Sequence, residues 1–178
     1  PVVTVIGEVA GLREGFRWFD TGPLFGQRIL VTRSRQQASV LSKLLADQGA
    51  DPVEMPTIQI EPLDDYQTLD AALSHLRDYA WVVFTSTNAV DAVFVRLTVA
   101  GRDARAFGSV RVGAIGSATA AALREHGITP DFMPSTYTTE AAAEGFRAFD
   151  LKGERVLLPR AEIATGTLSS GLRELGAV

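Results

Sequence analysis

Cysteine does not occur anywhere in the 178 residues. That absence removes disulfides, thiolate nucleophiles and cysteine metal sites together. Histidine is scarce as well: the two, His75 and His126, stand far apart in helical patterns with no zinc-type spacing around them. Structural or surface roles are expected for both. No apolar stretch approaches the ~20 residues of a membrane span, and no charged-then-apolar signal opens the chain. Positive charge is in deficit, with a net charge of −4 and a pI near 5.2, which argues against a general nucleic-acid surface. Neither a P-loop nor a G-x-S-x-G elbow is present. What remains is 46% hydrophobic and 21% charged. That is an ordinary globular balance, long enough for one domain or one domain and part of another. A cytoplasmic enzyme or binding protein fits.

Against these absences, one pattern recurs. Four apolar runs, 28–33 (RILVTR), 81–86 (WVVFTS), 111–116 (RVGAIG) and 155–160 (RVLLPR), each end in a short polar turn and pass into a helical pattern. Continuous apolar runs read as strands buried on both faces, hence a parallel sheet with helices on both sides. Parallel strands all point one way, so the polar turns gather along the edge where open α/β sheets bind ligands. The turns carry Ser34, Thr87 and Asn88, residues 117–119, and residues 161–165.

Along the chain, residues 2–6 form a short β-like run and 7–22 a mixed segment ending in a Thr-Gly-Pro linker. Ser34 with Gln37 makes a capping-box pattern. Ala38, Leu41, Leu44 and Leu45 line one helix face, and Gly49 sits at the C-cap. Residues 51–62 alternate, contain Pro52, Pro56 and Pro62, and read as an extended connector between domains. Helices are expected over 64–78, 88–99, 118–126 and 140–149, the last capped by Thr138. A short strand is expected over 130–134, and Leu168, Leu172 and Leu175 give a last helix its apolar face. The alternation makes the chain α/β, with a small flavodoxin-like parallel sheet from the connector onward. Both ends read as cut. Val178 looks like the first residue of a further strand.

Several features point towards an anionic ligand. Ser117 and Thr119 open a helix whose free N–H groups favour negative charge, although both could serve only as caps. Arg33 and Arg160 each end a strand run, where a planar guanidinium suits carboxylates; surface solvation is the other reading. The segment 113–119 (GAIGSAT) lacks the third glycine and the following acidic residue of a dinucleotide fingerprint.

The same residues, in order, resemble the uroporphyrinogen-III synthase family from about Leu24 to the end. The resemblance rests on the 28–33 run with Ser34, on Met55-Pro56, and on 84–90 (FTSTNAV). It rests further on 114–120 (AIGSATA), on 137–140 (YTTE) and on 157–160 (LLPR). Residues 1–19 resemble the tail of a uroporphyrinogen-III C-methyltransferase, which implies a fused parent. The resemblance implies a HemD-like fold: a flavodoxin-like parallel sheet domain plus part of a second, discontinuous α/β domain. Residues 1–22 would be the methyltransferase tail and linker, and 23–53 the opening of the first synthase domain. Residues 54–62 would be the connector, and 63–178 the second domain, nearly complete.

It further implies a cyclising lyase of tetrapyrrole biosynthesis. The substrate would be hydroxymethylbilane, a linear tetrapyrrole with carboxylate side chains, closed with loss of water and inversion of ring D to give uroporphyrinogen III. No cofactor and no metal are expected, and no membrane or nucleic-acid partner. Arg33, Ser34, Ser86, Ser117, Thr119, Tyr137 and Arg160 are the implied substrate-binding residues. The tyrosine that the family places on the returning connector would lie beyond Val178, so no catalytic residue is named and this chain alone is expected to be inactive. The alternative is a non-catalytic α/β ligand-binding or regulatory module for an anionic small molecule.

Overall fold

The computed structural model describes residues 3–17, 20–33, 35–59, 61–160 and 166–178; the side chains of 35–37 are not described. The chain divides into two units, Pro1–Leu63 and Asp64–Val178.

In the first unit the β-like run expected near the start is not a strand: residues 3–6 are irregular and lead into a 3₁₀ helix, Glu8–Phe16. β-Branched residues alone do not make a strand when no neighbour takes their backbone groups. Strand β1 (Arg28–Val31), helix α1 (Arg35–Asp47) and strand β2 (Asp51–Glu54) then form a βαβ unit. The strands run parallel, with Arg28 opposite Asp51 and Val31 opposite Glu54. This corrects the reading of 51–62 as connector throughout, because its first residues are a strand reached through a crossover helix. Pro52 is tolerated because Asp51 and Met55 donate to Gln27 and Val31 (2.8 and 2.9 Å), which turns the intervening proline nitrogen away from β1. Nor is β1 buried on both faces: the paired Leu30 and Val53 are 52% and 41% exposed.

The second unit holds the larger core. Helix α2 (Gln67–Ser74) and a 3₁₀ turn at Leu76–Asp78 precede strand β3 (Trp81–Phe84) and helix α3 (Thr87–Val99). Strand β4 (Arg111–Ala114), helix α4 (Ser117–Glu125) and helix α5 (Thr139–Gly145) follow. Strand β5 (Val156–Leu157) and helix α6 (Thr167–Glu174) close the series. The sheet is parallel with order β4-β3-β5. All four β3 residues are fully buried, and they alternate between two cores. Val82 and Phe84 pack with Leu73, Val90, Val93, Leu97 and Leu123 from α2, α3 and α4. Trp81 and Val83 pack with Ala142, Phe146, Leu168 and Leu172 around α5 and α6. Helices therefore cover both faces, as the continuous apolar runs require. Trp81 stands edge-on to Phe146 and Phe149 at 5.1 and 4.9 Å, with the Arg111 guanidinium 4.4 Å from its ring centre.

The strands are shorter than the runs that announced them, ending at Phe84, Ala114 and Leu157. The strand expected at 130–134 is reduced to one bridge, Phe132 with Gly113. Asp131 explains the loss: its carboxylate accepts the Val112 N–H at 2.7 Å and so takes a donor that a ladder would use. On the other edge, Val178 donates to the Glu154 carbonyl (2.8 Å) and accepts from the Val156 N–H (3.1 Å), the pattern of a parallel neighbour.

Candidate functional site

The topology picks out an edge. From β3 the chain moves out to β4, then returns past β3 to β5. The helix after β3 lies on one face and the helix after β5 on the other. Such a reversal opens a crevice at the carboxyl ends of the two strands, the place where open α/β sheets take ligands.

Ser86 stands at the centre of that edge. It is half-buried, and its hydroxyl caps α3 by accepting the Ala89 N–H at 3.3 Å. Thr87 and Asn88, expected in a turn, are the first residues of the helix. Thr85 and Asn88 are half-buried beside the cap. Thr85 was not selected from the sequence, whereas Asn88 was placed among the polar turns of this edge; the F-T-S-T-N run was the available signal.

Beside β3, the end of β4 leads through Ile115 and Gly116 into α4. Ser117 is exposed on the first turn. Thr119 is not on the surface: it is 3% exposed, and its hydroxyl donates to the Ile115 carbonyl at 3.2 Å. Gly116 has φ 97 and ψ 151, a conformation that belongs almost to glycine alone. A Cβ there would lie 3.8 Å from Cβ and Cγ of Tyr137, so the tyrosine packs over the strand end. The turn bearing Tyr137 is held from both sides. The Thr138 N–H donates to the Thr136 carbonyl at 2.8 Å, and the Thr138 hydroxyl caps α5 by accepting the Ala141 N–H at 3.1 Å. Glu140 follows, its carboxyl held below the usual range by a backbone N–H at the helix start, with the Thr139 and Thr138 hydroxyls adding and partial desolvation opposing.

On the far side of β3, Arg160 is exposed immediately after half-buried Leu158 and buried Pro159; residues 161–165 lie outside the described part. Arg33 belongs to the first unit, exposed at the end of β1, where the Thr57 N–H and hydroxyl both donate to the Thr32 carbonyl (3.3 and 3.1 Å). Ser34 lies outside the described residues.

The structure thus brings Ser86, Ser117, Thr119, Tyr137 and Arg160 to one end of one sheet. Other features do not join them. His75 is exposed beside Ser74, and His126 stacks on Phe94 at 3.8 Å. Among the described residues there is no cluster of potential metal ligands, and no helix is long and apolar enough to cross a membrane. A hollow of about 720 Å³ lies at the amino end of β4, lined by Phe107, Val110, Arg111, Ile128 and Asp131 among others. It is at the opposite end of the strands from the polar row, so volume and chemistry disagree. The row is preferred because strand topology and convergent polar groups coincide there.

Comparison with known proteins agrees with this architecture. Residues 39–178 match the family described as uroporphyrinogen-III synthase HemD. The porphyrin biosynthesis protein HemD of Ruminiclostridium josui is 36% identical over 173 residues, 97% of this chain and 34% of that protein. The uroporphyrinogen-III synthase of Synechococcus elongatus is 33% identical over 161 residues, 88% of this chain and 59% of its own length. A crystal structure of a mutant uroporphyrinogen III synthase from Thermus thermophilus shares the fold, with a TM-score of 0.66 and 18% identity over 86% of this chain and 59% of that one. The chain therefore spans between about a third and three-fifths of these proteins. With the match covering most of its length and the parallel α/β sheet in common, the chain belongs to the uroporphyrinogen-III synthase family.

Proposed function

We propose that this chain is part of a uroporphyrinogen-III synthase, a lyase that closes hydroxymethylbilane with loss of water and inversion of ring D. One observation carries the reading: a family match over 39–178 on a parallel sheet of order β4-β3-β5. The work asked of such a protein is mostly positioning, since a flexible chain of four pyrroles must be held in one cyclising shape. Exposed Arg160 and Ser117 suit the carboxylates, as does Arg33 in the first unit. Ser86 contributes by ordering the start of α3. Thr119 acts through the Ile115 backbone that it holds, because its hydroxyl does not reach solvent here. Family membership favours catalysis over a non-catalytic binding module.

We read 1–22 as the tail of a preceding methyltransferase domain with its linker, 23–53 as the opening of one synthase domain, 54–62 as connector and 63–178 as the other domain. The methyltransferase-like sequence of residues 1–19 supports that arrangement, and we place the protein in the cytoplasm. The test is conversion of hydroxymethylbilane by the full-length gene product, with the product isomers separated. Uroporphyrinogen III should dominate; uroporphyrinogen I alone, the isomer that forms without enzyme, would refute the assignment.

A further inference from the structure

Tyr137 does something the polar row does not explain. Among the described residues of the second unit, it is the one aromatic ring left mostly in water, at 55% exposure. Exposing a ring forfeits burial that would otherwise stabilise the fold. Its neighbours nonetheless hold it in place. The Thr138-to-Thr136 hydrogen bond closes a three-residue turn with Tyr137 at its apex. The Thr138 cap ties that turn to α5. On the other side the base of the ring rests over Gly116, whose positive φ sets the course of the strand end beneath it. A side chain that is anchored at its root and more than half exposed is pre-organised to receive a flat partner.

We propose that the Tyr137 ring is a stacking platform for one pyrrole ring of the linear tetrapyrrole, while Arg160 and the serines of the same edge take carboxylates. This rests on the function proposed above and adds to it a division of labour. The substrate carries two kinds of surface, anionic side chains and apolar π faces. Charged and hydroxyl groups hold only the first. Offset stacking of one ring on another contributes on the order of 1 kcal/mol beyond area burial, which is a change of roughly 3- to 10-fold in affinity. Thermal ordering is already supplied by the turn, so that gain goes into binding.

The experiment is steady-state kinetics of the full-length gene product and its Y137F, Y137L and Y137A variants with hydroxymethylbilane, alongside thermal melting of each. The expected result is a KM raised roughly 3- to 10-fold in Y137L and Y137A, with Tm shifted by no more than about 2 °C, since the ring is exposed. Y137F should restore KM to within about twofold, because the π face remains. A Y137L enzyme with the unsubstituted KM overturns the proposal, since apolar bulk would then suffice. A Y137F enzyme as impaired as Y137L overturns it too, by assigning the role to the hydroxyl. An unsubstituted protein that makes only uroporphyrinogen I removes the proposed function and this inference with it, whereas an active protein indifferent to Y137L and Y137A removes the inference alone.

Discussion

Gly116 shows how one residue can be decided by its backbone. The space above it is adequate, because a Cβ would meet Tyr137 at 3.8 Å, an ordinary contact. The obstacle is φ 97 with ψ 151, which L-residues avoid at a cost of about 1–3 kcal/mol. Gly116→Ala should therefore lower the unfolding free energy by that amount, read as a lower denaturant midpoint at unchanged m-value, without filling or emptying any cavity. An unchanged midpoint would mean that the strand end relaxes freely. The sequence showed a glycine before Ser117 but not its conformation. Thr119 makes the complementary point. As a threonine near a helix start it looked available to a ligand, yet its hydroxyl is used on the carbonyl four residues back. Periodicity reports which residues are polar; it does not report which way a half-turn of helix carries them.

Between elements, α2 and α3 are joined by one strong pair. The Arg96 guanidinium donates to both carboxylate oxygens of Asp70, at 2.8 and 2.6 Å, and lies 4.8 Å from the Tyr66 ring centre. The hydrogen bonds from Arg96 chiefly hold the Asp70 carboxyl below its usual range, with the guanidinium charge adding and partial desolvation opposing. A carboxyl depressed in the folded state stabilises it above the unfolded value, near 3.9, and the benefit is lost as pH falls through the lower folded value. Asp70→Asn should thus melt below the unsubstituted protein by a constant margin from about pH 7 to 5, and the margin should shrink below about pH 4. Melting curves at several pH values check this; a margin constant down to about pH 3 would contradict it. Neither residue stood out in the sequence, because 26 positions separate them and nothing local links an acid in one amphipathic helix to a base in another.

At the scale of the whole molecule, the two units are built to different standards. In the second, β3 is fully buried between helical layers on both faces, and Trp81, Phe84 and Phe146 are each enclosed. Burying side chains of that size contributes about 1.5–3 kcal/mol apiece. In the first, the β1–β2 pair leaves Leu30 and Val53 open. Amide exchange should accordingly be slowest at Val82 and Val83 and markedly faster across β1 and β2. Equal protection in the two sheets would contradict that ranking.

The α/β class, the parallel direction of the strands and the positions of α3, α4 and α6 were legible in the chain. Runs of Val, Ile, Leu and Phe beside amphipathic helices leave few other ways to bury apolar surface. Strand lengths were not legible, because a strand extends only as far as a neighbour pairs with it: Asp131 withdrew a donor and cut one short, while α1 carried Pro52 into a strand where a connector was expected. The strand order β4-β3-β5 was equally out of reach, since it depends on long-range pairing, and it alone sets Ser86 between Gly116 and Arg160. Hydrophobic pattern is a local property and can be read residue by residue; which polar strand ends become neighbours is settled only when the sheet closes around its core.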